Sequence, residues 1–406
     1  MIDSIAGAGD QATRVPIAFV TTVPASLGFF RELPIYLRSR GYEVTAISAP
    51  GPELDAFAAR EGVVALGVPM TRQITPRTDI GSVIHLTRTL RRLRPTIVHA
   101  STPKGGLLGM LAARLARRPV QVFHLHGMPH QTRTGLGRLL LKGATRAACT
   151  MADQVLCVSE SLRTDAIGEG IVRPGKALVL LHGSANGVDA TGRFSPERFG
   201  DDPRATGRES VGLPADGLVV GFVGRLAHDK GIDDLAAAWT IIRGRTPDVR
   251  LLMVGPEEPE DPASGVTMEA LRQDDRVRFT GAVADPAAAL AAMDVLVLPT
   301  YREGFGNVLI EAGAMGRPVV ATRVTGCVDA VQEGVTGLLV PAHDPASLAN
   351  AILTYLTDPD LRASHGATGR ARALRDFQPA ALQSALADLY DQLLDQRGIA
   401  RSGERS

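Results

Sequence analysis

Residues 295–311 read VLVLPTYREGFGNVLIE, in which an apolar strand runs through a glycine-rich turn into a helix. Backbone amides at the start of a helix have no intrahelical partner and favour a phosphate or another anion. The glycines let the backbone approach a ligand closely because they carry no Cβ. This segment predicts an α/β fold with a ligand bound where the strand ends.

Two carboxylates of this segment, Glu303 and Glu311, lie eight positions apart and can face the same ligand. A carboxylate accepts two hydrogen bonds at once, which suits a cis-diol such as the hydroxyls of a ribose. The alternative is a capped surface helix that carries two solvated glutamates. Glu311 stands among apolar residues, where an unpaired charge is costly, and this context favours the binding role.

A second strand-turn-helix segment, GFVGRLAHDKG, occupies residues 221–231. Its two cations, Arg225 and Lys230, can converge on a diphosphate across the turn. Such a pair is more often solvated surface charge, but its position after the first strand of this half of the chain favours binding. The segment is not a P-loop, because the spacing of that motif is absent.

Outward from these segments, short apolar strands alternate with helices along nearly the whole chain. The predicted strands are 16–23, 43–49, 63–68, 96–100, 120–126, 154–158, 177–182, 218–223, 250–254, 277–280, 295–299, 318–321 and 337–340. The predicted helices include 29–40, 79–93, 231–243, 307–315 and 345–357. This alternation predicts parallel sheets that are covered by helices on both faces.

The alternation starts twice, which predicts two Rossmann-like doubly wound domains. The irregular stretch 192–216 marks the joint, so we expect domains at 1–189 and 190–376. Residues 377–406 form a C-terminal helix and tail, and the helix near 379–396 is placed to pack back across the joint. Because ligands of open parallel sheets bind at the carboxyl ends of the strands, we expect the two domains to face a central cleft.

The composition is that of a soluble globular protein with 406 residues, of which 45% are hydrophobic and 21% charged. No apolar run reaches the roughly 20 residues that a membrane-spanning helix needs. Residues 1–14 lack a signal pattern, and we therefore expect a cytoplasmic protein. The three cysteines, Cys149, Cys157 and Cys327, lie in apolar stretches, which indicates reduced, buried residues.

The charge is divided unevenly, with a net +9 through Asp189 and −8 after it. A basic half can attract nucleic acid, but aromatic residues for base stacking are not interleaved with the cations. An anionic membrane surface or a phosphate-bearing acceptor fits better. Two stretches mix cations with apolar residues at helical spacing. For 87–94 we favour ordinary packing on the sheet, and for 133–146 packing and a lipid surface are equally supported.

The pair Glu303/Glu311 matches the E-x7-E motif of family 4 glycosyltransferases, and the chain resembles that family from about Pro16 onward. Arg225/Lys230, the segment 187–189 at the domain crossover and Gly326, Gly334 and Gly337 extend the match. The chain is most similar to bacterial enzymes that assemble capsule, O-antigen or N-glycan precursors on a polyprenyl carrier. The resemblance implies a GT-B fold, with an N-terminal acceptor-binding and a C-terminal nucleotide-sugar-binding domain.

The resemblance also implies an activity: retaining transfer of a hexose or N-acetylhexosamine from a nucleotide-diphosphate sugar, by default a UDP-sugar. The acceptor would be a polyprenyl-diphosphate-linked saccharide, presented at the inner face of the plasma membrane. The enzyme would be cytoplasmic or peripheral on that membrane. Two alternatives stay open, namely a soluble acceptor and a non-catalytic nucleotide-sugar-binding protein.

The resemblance assigns roles to matching positions. Arg225 and Lys230 would hold the donor diphosphate, Glu311 the ribose and Glu303 a hydroxyl of the transferred sugar. His126 would face that sugar from the other domain, which makes His126, Glu303, Arg225 and Lys230 the catalytic set. The further donor-binding positions are Gly28, Gly281, Gly304, Phe305, Gly306, Asn307 and Val308. The loop with Gly28 departs from the family's commoner double-glycine form.

We expect neither a metal nor another cofactor. His124, His126 and His130 could be metal ligands, but no Cys, Asp or Glu stands nearby in the sequence to complete a site. A core His124 and a cleft-facing His126 is the better interpretation. The one Asp-x-Asp, at 358–360, lies between helices and not at a strand end, where a metal-dependent GT-A enzyme would place it.

Overall fold

The computed structural model describes residues 14–71 and 75–400 and contains two parallel sheets. The N-terminal segment examined for a signal pattern lies, apart from Arg14, outside the described residues, as do residues 401–406. Within the described ranges, no helix has both the length and the hydropathy needed to cross a membrane.

The first sheet has seven strands in the order β3-β2-β1-β4-β5-β6-β7. They are β1 (Val15–Val20), β2 (Tyr42–Ser48), β3 (Val64–Gly67), β4 (Ile97–Ser101), β5 (Val120–Leu125), β6 (Gln154–Cys157) and β7 (Ala177–Leu178). Its helices are α1 (Leu33–Ser39), α2 (Pro52–Glu61), α3 (Pro76–Leu93), α4 (Pro103–Leu115), α5 (Gly135–Met151) and α6 (Glu160–Gly168). Short 3₁₀ turns occupy Pro24–Phe30, Pro129–Thr132 and Pro174–Lys176.

The second sheet has six strands in the order β10-β9-β8-β11-β12-β13. They are β8 (Leu218–Val223), β9 (Val249–Val254), β10 (Val277–Gly281), β11 (Val295–Leu298), β12 (Val319–Thr322) and β13 (Gly337–Val340). Its helices are α7 (Pro203–Val211), α8 (Ile232–Arg245), α9 (Gly265–Gln273), α10 (Ala287–Ala292), α11 (Asn307–Ala314), α12 (Cys327–Ala330), α13 (Pro345–Thr357) and α14 (Pro359–Asp376). Further 3₁₀ turns lie at Pro196–Phe199 and His228–Lys230.

The predicted fold class is confirmed: within residues 14–71 and 75–400, thirteen parallel strands alternate with helices in two doubly wound sheets. Two predicted elements need correction. The predicted helix 29–40 is a 3₁₀ turn followed by α1, because Glu32 between them adopts a φ of 63°. The predicted strand 177–182 pairs with β6 only at Ala177 and Leu178, since the backbone turns at Leu181 with a φ of 50°.

The last helix, α15 (Pro379–Asp395), packs on the first sheet although it follows the second in the chain. Its Leu386, Tyr390 and Leu394 are buried in one apolar cluster with Phe19 of β1 and Tyr42 of β2. The connection from the first sheet to the second and the connection that leads back to α15 are in contact, because the Val188 amide donates to the Phe377 carbonyl over 2.7 Å.

Strand order reverses direction between β1 and β4 in the first sheet and between β8 and β11 in the second. At such a switch point the loops at the carboxyl ends of the strands diverge and leave a crevice. The loops after β1, β4 and β5 therefore face those after β8 and β11 across the molecule.

Candidate functional site

The two sheets meet closely at Gly304, in the loop after β11. A Cβ on this glycine would lie 2.0 Å from the carbonyl oxygen of His126, in the loop after β5. The Ser159 hydroxyl, which caps α6, also donates to the Gly304 carbonyl over 2.7 Å. Only a residue without a side chain fits here, and the contact places the glutamate motif beside His126.

The two cations of the β8 loop each meet a carboxylate. The Arg225 guanidinium forms an ion pair with Glu258, which follows β9, and lies 3.9 Å from Asp229. Lys230 forms an ion pair with Glu303, which follows β11. The cationic loop and the glutamate motif, 73 positions apart in the sequence, therefore belong to one site.

A third cation, Arg302, lies in the same loop as Glu303. Its guanidinium bonds Asp229 over 2.8 Å, and Asp229 is buried between Arg302 and Arg225. One carboxylate oxygen of Asp229 and the Arg302 Nε are buried without a hydrogen-bond partner among the described residues. These cations and carboxylates form a compact charged cluster at the carboxyl ends of β8, β9 and β11.

Glu311 differs from Glu303 in its surroundings. Its side chain is partly buried in α11, and within the described ranges its carboxylate forms no hydrogen bond or ion pair. Burial is the main cause that raises its pKa to about 7. The charge of Arg193 acts in the opposite direction and lowers the pKa, and the charge of Asp285 raises it. An unpaired carboxylate of this kind is ready to accept hydrogen bonds from a ligand.

The first backbone amides of α11 have no side-chain cap and are available to an acceptor from outside the helix. Its N-cap, Gly306, has a φ of 71° and no side chain to cap the first amides. The Asn307 side chain accepts a hydrogen bond from Ser184 over 2.9 Å, which joins α11 to the connection that follows β7. Phe305 is buried beside Phe377, and Val308 is partly buried.

The remaining predicted glycines, Gly28 and Gly281, lie outside the charged cluster. Gly28 is exposed in the 3₁₀ turn after β1, with open space where a Cβ would stand. Gly281 ends β10 with a φ of 68°, and its carbonyl accepts from the Gly255 amide over 2.9 Å. Both positions are at carboxyl ends of strands, as the sequence interpretation placed them.

His126 lies among other rings on the opposite wall of the cleft. Phe29 stacks on it at 4.1 Å between ring centres, and His124 lies at 4.4 Å. Its Nε2 shares a hydrogen bond of 3.3 Å with the Ser101 hydroxyl. Burial, followed by the neighbouring His124 and His99, keeps the His126 pKa well below its ordinary value of 6.5, so the ring is neutral at neutral pH.

The other two histidines considered as metal ligands, His124 and His130, are internal. His124 is buried, and burial lowers its pKa to about 4. His130 is also buried, with its Nε2 2.8 Å from Glu169. Although no acidic residue stands near His130 in the sequence, the fold brings Glu169 beside it from just after α6. In the described part of the chain, no three His, Cys, Asp or Glu side chains are arranged to hold a metal.

Two further sequence interpretations are confirmed. Cys149, Cys157 and Cys327 are free and buried, and burial raises the pKa of the first two thiols to about 12. Asp358 lies between α13 and α14 and caps α14 by accepting a hydrogen bond from the Leu361 amide over 2.9 Å, while Asp360 lies in the first turn of α14, so the Asp-x-Asp is away from any strand end.

Several site residues were missed by the sequence interpretation: Phe29, Ser101, Asp229, Glu258 and Arg302. Ser101 is the last residue of its strand, and each of the others lies in the segment that follows a strand. The strand-end rule that selected Arg225 also applies to them. Because many residues satisfy that rule, only knowledge of which loops are neighbours would have singled these five out.

Comparisons with known proteins agree with this geometry. Residues 29–185 match the family described as Glycosyltransferase Family 4, and residues 217–358 match Glycosyl transferases group 1. The chain is 32% identical to the capsular polysaccharide biosynthesis glycosyltransferase CapM of Staphylococcus aureus, over 93% of this chain and 97% of CapM.

Solved structures show the same fold. The complex of Anabaena HepE with UDP-glucose superposes with a TM-score of 0.76 at 23% identity, over 93% of this chain and 99% of HepE. Sucrose-phosphate synthase from Thermosynechococcus elongatus superposes with a TM-score of 0.77 at 25% identity, over 94% of this chain and all of that protein.

Proposed function

The chain belongs to the family 4 glycosyltransferases with the GT-B fold, and from this premise we propose that it transfers a hexose or N-acetylhexosamine from a UDP-sugar to a lipid-linked saccharide with retention of configuration. The contact between Lys230 and Glu303 carries the proposal. It joins a cationic loop suited to a diphosphate with a carboxylate suited to a sugar hydroxyl.

The division of roles follows the charges. Arg225 and Lys230 hold the diphosphate and stabilise the negative charge that grows on the leaving nucleotide, so no divalent metal is required. Glu311, an unpaired carboxylate, accepts the ribose hydroxyls. Amides of Gly306, Asn307 and Val308 contact phosphate or sugar, and His126 faces the sugar from the other wall.

The donor proposal is supported by relatives. HepE is described in complex with UDP and with UDP-glucose, and CapM acts in capsular polysaccharide biosynthesis. We extend the same donor class and a polysaccharide pathway to this chain.

The donor is tested by the thermal stability of the protein with UDP, GDP, ADP and the corresponding sugars. Ligand at about a hundred times its dissociation constant stabilises a fold by about 2.7 kcal/mol. We expect UDP and one UDP-sugar to raise the melting temperature. A rise with GDP alone contradicts uracil as the base of the donor. No rise with any nucleotide contradicts the proposed function.

The stereochemistry is tested by proton NMR of the first product formed. An α-linked donor should give an α-linked product. A β-linked product contradicts the retaining mechanism and leaves the assignment to the family untouched.

The membrane part of the proposal is supported by α5. Leu136, Leu139 and Leu140 are 71%, 67% and 57% exposed on this helix, beside Arg138 and Arg146. Leu141 is partly buried, so the apolar stretch divides between the surface and the protein. We propose that this cationic and apolar face docks on an anionic membrane, where a polyprenyl-diphosphate acceptor is presented.

Co-sedimentation with anionic and neutral vesicles tests the docking. We expect binding to anionic vesicles that salt weakens, because each cation near the surface contributes about 1 kcal/mol. Replacing Leu139 and Leu140 with Gln should reduce it, whereas Val266→Gln, a change of an even more exposed apolar residue on α9, should not. Equal binding to both vesicles, or none to either, favours a soluble acceptor.

A further inference from the structure

The ring of His126 is enclosed on both faces. Phe29 stacks on it at 4.1 Å with an angle of 16° between the rings, and His124 lies at 4.4 Å with an angle of 31°. Two rings cannot occupy one face at these distances, so they cover opposite faces. Only the edge of the imidazole, with its two nitrogens, is left for polar contacts.

One of these nitrogens is already engaged. Ser101 is the last residue of β4, and the pairing of β4 with β5 sets it opposite His124. Its hydroxyl shares a hydrogen bond of 3.3 Å with His126 Nε2. Ser101 is fully buried, and among the described residues its hydroxyl has no second hydrogen-bond partner.

The other nitrogen, Nδ1, has no hydrogen-bond partner in the described part of the chain and is not sealed from solvent. A neutral imidazole carries one N–H and one lone pair, so the role of Nε2 decides the role of Nδ1. The buried Ser101 hydroxyl has no other acceptor among the described residues, so it donates to Nε2, because its proton would otherwise stay unpaired. Nδ1 then carries the ring proton and acts as a donor.

We propose that Ser101 is a positioning residue that holds Nε2 of His126, selects its tautomer and thereby presents Nδ1 to the transferred sugar. Phe29 and His124 prevent rotation of the ring out of this plane. This inference rests on the proposed function for the identity of the group that Nδ1 meets. The hydrogen bond and the tautomer are properties of the protein itself.

Behind this pair, the column of rings continues to α15. The ring centres of His99 and His124 are 5.4 Å apart, and the Nδ1 of His99 lies 2.5 Å from the Tyr390 hydroxyl. Tyr390→Phe removes a buried hydroxyl from the same column and leaves the Ser101–His126 contact intact. It is therefore the matched control for a general loss of stability.

The first experiment uses nitrogen-15 NMR of histidine-labelled protein, with the His126 signals assigned by loss in His126→Gln. In the wild type we expect the tautomer protonated at Nδ1 at neutral pH. In Ser101→Ala we expect averaged shifts of a mixture, and in Ser101→Thr the wild-type tautomer. A single unchanged tautomer in Ser101→Ala overturns the proposal, whether or not the protein transfers sugar.

The second experiment measures hydrolysis of UDP-glucose, UDP-N-acetylglucosamine and GDP-mannose, together with the dissociation constant of UDP. A buried polar group left unpaired corresponds to roughly a tenfold effect, so Ser101→Ala should lower kcat by roughly tenfold while UDP affinity stays unchanged. Ser101→Thr should restore kcat, and Tyr390→Phe should lower the melting temperature with little change in kcat.

The double variant gives the sharpest test. Once His126 is changed to Ala, Ser101→Ala should cause no further loss of kcat, because Ser101 acts only through His126 and has no effect when that side chain is missing. Additive losses overturn the proposal. Failure of the wild type to hydrolyse any of these donors counts against the proposed function, and the NMR result then decides the role of Ser101 alone.

Discussion

The two walls of the cleft hold their polar groups in different ways. On the wall from the second sheet, Arg225, Lys230 and Arg302 each meet a carboxylate, so the cluster consists of opposite charges in contact. On the wall from the first sheet, His126 is a neutral ring between two other rings, fixed by a buried hydroxyl.

The difference matches the chemistry proposed for each wall. A diphosphate that gains negative charge as it leaves needs cations that are already in place. Carboxylate partners keep those cations compensated, because an unpaired charge in a partly buried loop is costly. A cationic imidazolium would repel a sugar that develops positive charge, and the burial of His126 prevents its protonation.

The largest expected effect is on the charged wall. Arg225→Ala should lower the rate roughly a hundredfold, as loss of one preorganised charge contact does in other enzymes. Arg272→Ala is the matched control, since Arg272 forms an exposed ion pair with Glu257, the neighbour of Glu258. Steady-state kinetics in excess EDTA compare the variants. Complete loss of wild-type activity in EDTA, with rescue by Mn²⁺, contradicts metal independence.

The second prediction separates the two glutamates of one motif. Glu311→Gln should weaken UDP binding roughly tenfold, because its carboxylate meets the ribose. Glu303→Gln should leave UDP affinity equal or higher, because Lys230 loses its ion-pair partner, and should mainly depress turnover. Calorimetry with UDP and single-turnover kinetics measure the two quantities. Equal losses of UDP affinity in both variants count against the division of roles.

The smallest effect concerns stability. The Glu311 pKa of about 7 lies above that of an unfolded glutamate, so the folded state binds the proton more tightly. Wild-type stability therefore falls as pH rises through 7, and Glu311→Gln escapes this loss. Between about pH 5 and pH 8 the variant should gain on the order of 2 kcal/mol relative to the wild type.

Urea denaturation at both pH values measures this gain. Glu269→Gln, a change of an exposed glutamate on α9, is the control and should follow the wild type. Parallel pH profiles for Glu311→Gln and the wild type would show that the Glu311 carboxyl is well solvated.

Much of the fold follows from local patterns. Most strands in the described part of the chain are mainly apolar, and their alternation with helices identifies two parallel sheets. The errors lie where one residue turns the backbone. Glu32 and Leu181 adopt positive φ values, which their residue types do not indicate, since such values are uncommon outside glycine.

The sequence alone determined the residue types of the site and their places at strand ends: Glu303 and Glu311 around one glycine turn, Arg225 and Lys230 after β8, and His126 after β5. Such positions follow from chain-local rules, because a strand, its turn and the next helix are contiguous. Only the tertiary structure decided the partners. Arg225 meets Glu258 because β8 lies beside β9, Lys230 meets Glu303 because β8 also lies beside β11, and Ser101 meets His126 because β4 pairs with β5. Strand order is set by packing over the whole chain, and no segment carries it by itself.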